Sequence, residues 1–175
     1  AALVYLQLAP NDQRGSLLLA QIYNQQDRSE EAISALASAL ENYPNSYKLR
    51  LQYARLLTLS NRSKAVEQFE MLRLANPYSP EINYLLALLY LDSKMLEPAR
   101  QLFLILSRDS RFSDDALYHL GGIAESNSDW TAAVEYYRQV VDGSNFLAAA
   151  SRTIVLLMDD DNLAAAQNYL RETRA

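Results

Sequence analysis

The chain has 175 residues, half of them hydrophobic, and a formal net charge of −5. It contains no cysteine, which excludes disulfide bonds, thiolate metal sites and cysteine nucleophiles. Only four glycines and five prolines interrupt it, too few for the many tight turns of an all-β protein, so an all-helical class is expected. The negative charge argues against a nucleic-acid partner, because phosphate binding needs a cationic face. No apolar run approaches the ~20 residues of a membrane span, so no direct membrane insertion is expected.

In chain order, one short pattern marks the first helix of each predicted pair: a large apolar residue, a smaller one after it, and a third residue three places further on. It recurs with a period of 33 or 34 residues, as Leu19-Ala20-Tyr23, Tyr53-Ala54-Leu57, Leu86-Ala87-Tyr90, Leu120-Gly121-Ala124 and Ile154-Val155-Met158. A second pattern of helical spacing follows about twelve residues later, as Ala32-Leu36-Ala39, Ala65-Phe69-Leu72, Ala99-Phe103-Leu106 and Ala133-Tyr137-Val140. A period of this length indicates a stack of helical hairpins.

Prolines and polar segments predict the breaks between helices. Pro44 and Pro77 each follow the second pattern by five residues, where proline can end one helix without removing a needed hydrogen bond. Polar segments rich in Ser, Asn and Asp supply caps within each hairpin, and the one-residue shortening of the second repeat falls in such a segment. About eleven helices are predicted: a half repeat at 1–12 with a helix over Ala2 to Leu8, full repeats at 13–46, 47–79, 80–113 and 114–147, and a degenerate repeat at 148–175 with its turn at Asp159 to Asn162.

The period, the small residue facing an aromatic one, the alanines of the second helix and the terminal proline resemble the tetratricopeptide repeat family. The resemblance implies an all-α fold, a right-handed superhelical solenoid of antiparallel helix-turn-helix repeats, with residues 1–175 as a single domain. It also implies a protein that binds other proteins, with no enzymatic activity and no cofactor. Val155, where a small residue is usual, and Arg111 and Asn145, where proline is usual, predict looser packing toward the C-terminus.

In this family the first helices line a concave groove, and residues at i, i+3, i+7 and i+10 opposite the packing pattern face it. We expect this groove to bind a peptide or protein segment. Its early repeats offer basic residues, its middle offers apolar and tyrosine surface, and its late repeats offer acidic residues. The predicted binding residues are Arg14, Leu17, Gln21, Lys48, Leu51, Arg55, Glu81, Tyr84, Leu88, Leu91, Asp115, Tyr118, Glu125 and Arg152.

The predicted function is therefore that of an adaptor or scaffold. The resemblance suggests a setting such as bacterial envelope assembly, secretion or proteolysis, in the cytoplasm, in the periplasm or within an envelope lipoprotein. The alternative is a regulatory or oligomerisation part of a larger protein or enzyme, since an uncovered solenoid end offers a surface for self-association. His119, the single histidine, lacks the partners of a metal or catalytic site and is expected to be a groove contact beside Tyr118.

Overall fold

A computed structural model describes residues 12–159 and 163–173, which form ten α-helices and no strand. The helices are α1 Gln13–Gln25, α2 Ser29–Asn42, α3 Tyr47–Ser60, α4 Arg62–Ala75, α5 Pro80–Asp92, α6 Leu96–Leu106, α7 Ser113–Ser126, α8 Trp130–Arg138, α9 Phe146–Asp159 and α10 Leu163–Glu172. The all-helical prediction is confirmed. The predicted helix over Ala2 to Leu8 and residues 160–162 of the predicted turn at Asp159 to Asn162 lie outside the described residues. None of the ten helices is long and apolar enough to cross a membrane.

The chain divides into two compact units, residues 1–89 and residues 90–175, and the boundary falls within α5. In the first unit α1 packs on α2, α2 on α3 and α3 on α4, and the first helices α1 and α3 also contact each other. In the second unit α6 packs on α7, α7 on α8, α8 on α9 and α9 on α10. Each unit thus contains the helical hairpins that the repeat predicts, while a single solenoid over the whole chain stays a prediction.

The second pattern forms the core of each unit. All of its residues are buried, from Ala32 in α2 to Val140 after α8. In the first unit this core joins residues of three helices, α1, α2 and α3, with the buried members Ala20, Ala32, Leu36, Ala39 and Leu49. In the second unit it contains Leu117, Ala124, Ala133, Tyr137, Val140, Ala149 and Leu156. Hairpins therefore bury their apolar faces against their neighbours, as a stacked repeat requires.

Side chains at the breaks cap the helices as the sequence predicts. Asp12, Ser46, Asn61 and Asp129 each accept a hydrogen bond from an amide in the first turn of the following helix. The turn between α3 and α4 is a single residue, Asn61. The longer turns of three other described hairpins each contain one residue at positive φ, namely Asp27, Lys94 and Ser128. The one-residue shortening of the second repeat therefore falls in this turn, and both helices of the repeat are present.

The packing pattern predicted for the fifth repeat is wrong. Val155 and Met158 are 43% and 51% exposed, and α9 buries Ala149, Thr153 and Leu156 instead. Of these, Ala149 and Leu156 belong to the buried core that also contains Ala133 and Tyr137 of α8. The Thr153 hydroxyl donates to the Ala149 carbonyl at 2.9 Å, so its burial leaves no hydroxyl unsatisfied. The cause is that α9 is held mainly by α8, while α10 leaves the predicted packing face uncovered.

Gly121 of α7 lies against the ring of Tyr137 on α8. A Cβ built on Gly121 would lie 2.5 Å from Cε1 of the Tyr137 ring, which is itself 3% exposed. At the adjacent Gly122, a Cβ would meet only the Tyr137 hydroxyl oxygen, at 3.7 Å. The glycine of the fourth repeat is thus required by the ring that packs on it, and its neighbour is not.

Gly121→Ala and Gly122→Ala therefore form a matched pair. Both changes remove the entropic cost of glycine in a helix, worth about 1 kcal/mol. Only Gly121→Ala also forces the buried ring to move, which costs about 1–3 kcal/mol. Urea denaturation should find Gly122→Ala at least as stable as the parent chain and Gly121→Ala less stable than Gly122→Ala by about 1–3 kcal/mol. Equal stabilities of the two variants would contradict this account of the α7–α8 contact.

His119 packs in the second unit. Its ring stacks on the buried ring of Phe103, with centroids 4.8 Å apart, and Tyr118 approaches it edge-on at 5.6 Å. Burial lowers the pKa of His119 below the usual value of 6.5, and the carboxylate of Asp115 opposes this shift more weakly. The imidazole is therefore held neutral against Phe103, as a packing residue.

The pKa of His119 in the folded chain should lie below 6.5 and should return to that value in urea, as measured by NMR titration of its ring proton. Because the unfolded chain binds the proton more readily, the associated stability is present above pH 6.5 and is lost as the pH falls through the folded pKa. Between pH 6.5 and the pKa of His119 in the folded chain, the free energy of unfolding should fall less for His119→Gln than for the parent chain. A folded pKa at or above 6.5 would overturn this interpretation.

Candidate functional site

The predicted binding residues all lie on the first helices α1, α3, α5, α7 and α9, and none is buried. They fall into two sets, one from Arg14 to Leu88 in the first unit and one from Leu91 to Arg152 in the second. The two sets differ in what their charged groups contact. A continuous groove along all five first helices stays a prediction.

In the first unit, α1 and α3 enclose a depression of about 360 Å³. Its floor is formed by the buried side chains of Ala20 and Leu36, and its apolar walls by Leu17 of α1 and Leu56 of α3. A space of this volume is within the range of sites that hold small ligands or single large side chains. The depression lies between the first helices of two neighbouring repeats, where the sequence places the binding surface.

Three amide side chains, those of Gln21, Asn24 and Gln52, complete the wall of the depression. All three residues are exposed, and none of their amide groups bonds to another residue of the described chain. An amide offers both a donor and an acceptor, so these groups can pair with the backbone of an extended segment. Asn24 stands ten residues after Arg14, at the i+10 position of the stripe that begins there.

Gln52 and Leu56 were not predicted. The sequence stripe on α3 instead named Leu51 and Arg55, one residue earlier at each turn, because it assumed the same rotation for α3 as for α1. The spacing Lys48, Gln52, Leu56 at i, i+4 and i+8 is the signal that marks this neighbouring face of the helix.

Three cationic side chains lie on the same two helices, within one turn of residues that line the depression, although none of the three lines it. Arg14 lies one helical turn before Leu17, Lys48 lies one turn before Gln52, and Arg55 directly precedes Leu56. Arg14, Lys48 and Arg55 are exposed, and no partner for their charged groups occurs among residues 12–159 and 163–173. They give this face a positive charge that is not cancelled by the side chains around it.

Arg50, also on α3, behaves differently from these three cations. Its guanidinium donates to Gln68 Oε1 at 2.6 Å and to the carbonyl oxygen of Pro44, so it ties α3 to α4 and to the preceding turn. The basic residues of α3 therefore divide into one with a structural contact and two without.

On α5, the predicted residues of the first unit are partly engaged. Glu81 accepts a hydrogen bond from the Ser79 hydroxyl at 3.2 Å, next to the helix N-terminus. Tyr84 and Leu88 are half-buried. Leu91, on the last turn of α5 and in the second unit, is also half-buried.

In the second unit, the structure pairs Glu125 with Arg152. Arg152 Nε donates to Glu125 Oε1 at 3.0 Å, and its terminal NH2 group bonds to Glu125 Oε2. The Tyr137 hydroxyl donates to Glu125 Oε1 at 2.6 Å. The Arg152 guanidinium lowers the pKa of Glu125, while burial, together with the Glu125 carboxylate, raises the pKa of the Tyr137 phenol. Three successive helices, α7, α8 and α9, are joined through this one carboxylate.

The acidic residues at the start of α7 also have internal partners. Asp115 Oδ1 accepts from the Asn145 side chain at 2.7 Å, and Asp114 Oδ1 accepts from the Val141 amide at 3.1 Å. Both bonds hold the segment between α8 and α9. Tyr118, another predicted binding residue, packs its ring 5.8 Å from that of Tyr137. The predicted surface of the second unit is thus largely occupied by contacts within the unit.

No three His, Cys, Asp or Glu side chains of the described residues come together as metal ligands would. His119, stacked on Phe103, is accompanied by Asp115 alone as a nearby charge. The described residues therefore offer surfaces for binding.

Comparison with known proteins gives the same family from two parts of the chain. Two models of the tetratricopeptide repeat match residues 13–56 and residues 99–148. No curated protein sequence matches the chain.

Several solved structures share the fold. The MamA protein superposes with a TM-score of 0.77 and 17% identity, covering 90% of this chain and 87% of its own. YrrB, described as a TPR protein with an unusual peptide-binding site, gives a TM-score of 0.76 and 14% identity over 99% of this chain and 90% of its own. PilF of Pseudomonas aeruginosa superposes with a TM-score of 0.69 and 20% identity, covering 92% of this chain and 74% of its own. The repeat pattern, the buried hairpin cores and the two family matches together show that this chain belongs to the tetratricopeptide repeat family.

Proposed function

We propose that the first unit binds an acidic, partly apolar segment of a partner protein in the depression between α1 and α3. The observation that carries this proposal is the apolar floor between α1 and α3 together with three cations on these two helices, Arg14, Lys48 and Arg55, that are unpaired in the described chain. The role is one of binding without catalysis. It makes the chain an interaction module, as its family membership suggests.

Each part of the depression contributes a different kind of recognition. Leu17 and Leu56 can bury an apolar side chain of the segment, which supplies most of the affinity. Gln21, Asn24 and Gln52 can pair with its backbone, which favours an extended conformation. The cations attract acidic side chains and contribute more to orientation and association rate than to affinity.

The comparison with YrrB supports a peptide as the ligand, because that protein has the same fold and is described as having a peptide-binding site. The identity of the bound segment would assign the process that the protein serves, among envelope assembly, secretion and proteolysis. The proposal differs from the sequence prediction in placing the binding surface on two first helices of one unit.

Self-association is a second candidate, and the exposed side chains of α9 favour it. Leu147, Val155 and Met158 are apolar and exposed along one side of that helix. Sedimentation of the chain together with a Met158→Lys variant would test this candidate. A monomer at every concentration would remove it, and a dimer that dissociates in the variant would support it.

The binding proposal is tested with a labelled peptide of alternating glutamate and leucine, whose affinity is measured by fluorescence anisotropy. Replacing Arg14, Lys48 and Arg55 together by glutamine should weaken binding about tenfold, because each exposed ion pair is worth up to ~1 kcal/mol. The same change should remove most of the salt dependence. A peptide in which serine replaces leucine should bind more weakly than the original to the parent chain.

Lys64→Gln is the matched control for the single variant Arg55→Gln. Lys64 is also exposed and unpaired at its ammonium group within the described chain, but it lies on the second helix α4, away from the depression. The control should bind the peptide as the parent chain does. If Lys64→Gln weakens binding as much as Arg55→Gln, the peptide responds only to net charge and the proposed site is wrong.

A further inference from the structure

A second cleft lies in the other unit, between α8 and α9, and it has the opposite charge. It encloses about 460 Å³ and its lining is mostly apolar. Its apolar residues are Trp130 and Val134 from α8 and Leu156 and Leu157 from α9. Leu156 is buried at the base, while Trp130, the only tryptophan of the chain, is 53% exposed.

The exposed Trp130 indole can contribute binding energy when a partner covers it. The ring is large and flat, and tryptophan is among the residues that most often dominate binding energy when a partner covers them. Its remaining surface faces a space large enough for another large side chain. The cleft is therefore suited to an apolar ligand group that packs against the indole.

Two carboxylates stand at the rim of the cleft, Glu135 on α8 and Asp159 at the end of α9. Both residues are exposed, and neither carboxylate has a partner in the described part of the chain. Arg138, one turn after Glu135, does not neutralise them: it pairs with Glu172 at 3.3 Å and lies over the Tyr169 ring. The rim is thus anionic, whereas the unpaired charges near the depression of the first unit are cationic.

We propose that this cleft binds a segment of a partner protein that presents a large apolar side chain beside lysine or arginine. The apolar side chain packs on Trp130 and Leu156, and the basic group is attracted to Glu135 and Asp159. A cation placed over the indole face gains further attraction from the ring. This surface is independent of the depression between α1 and α3, and its ligand has the opposite charge.

The test uses the emission of Trp130 as its readout, since no other residue contributes tryptophan fluorescence. The probe is a short synthetic peptide of leucine and lysine, and two matched peptides replace lysine by glutamate or leucine by serine. Only the leucine–lysine peptide should change the emission of Trp130 in a saturable way. Unchanged emission at saturating concentrations of this peptide would overturn the proposal.

Variants of the rim separate local from general electrostatic attraction. Glu135→Gln with Asp159→Asn should weaken binding of the leucine–lysine peptide about tenfold, since two exposed ion pairs are lost. Glu30→Gln with Glu41→Gln changes the net charge equally on α2 of the first unit, and it should leave binding unchanged. Equal weakening in the two double variants would contradict a site in this cleft.

Trp130→Ala tests the apolar contact with a labelled probe, because this variant has no tryptophan emission. Loss of a tryptophan that anchors a ligand should weaken binding at least about thirtyfold. The double variant Glu135→Gln with Asp159→Asn keeps every apolar contact, so it still tests the proposed site if Trp130→Ala lowers stability. Gln replacement of Arg14, Lys48 and Arg55 should leave binding of this probe intact, which distinguishes the cleft from the site in the first unit.

Discussion

The ring of Tyr137 occupies the space that a side chain at position 121 would fill, and this close approach fixes how α7 and α8 pack. The same ring carries the hydroxyl that donates to Glu125, which in turn binds Arg152 of α9. One small residue on a first helix therefore determines a contact that continues through three helices. The alanines Ala20 and Ala54 hold the equivalent buried positions in the first two repeats. Close helix contact at a small residue is thus the constraint on which the hairpins depend.

The way the helices pack determines which charged groups can pair with each other. In the second unit, α7 and α9 are near enough for Glu125 and Arg152 to neutralise each other, so these two residues pair within the unit. In the first unit, the cations on α1 and α3, such as Arg14 and Arg55, have no carboxylate of the described chain beside them. The two units thus use similar residues on equivalent helices for different purposes. The unpaired charges, and not all charges on the first helices, indicate where a ligand is expected.

Much of the fold could be predicted from the sequence because burial in a repeat is periodic: every residue of the second pattern, from Ala32 to Val140, is buried, and Leu102 is the one further buried residue on α2, α4, α6 and α8. The candidate site was less predictable. The pairing of Glu125 with Arg152 depends on the distance between two helices, which no sequence spacing gives. Whether Gln52 lines the depression depends on the rotation of α3 about its own axis. Val155 was expected in the core, but burial there needs a helix that covers it, and α10 does not.

We propose that unpaired charge near an apolar floor, on α1 and α3, defines the surface for a partner segment. Mapping amide chemical-shift changes on adding the glutamate–leucine peptide tests it most directly, because it locates the contact without any substitution. The account predicts that the largest changes fall in α1 and α3, around Leu17 and Gln52, with little change in α7 and α9. Changes centred on Glu125 and Arg152, or spread evenly over exposed basic residues such as Lys64, would contradict it.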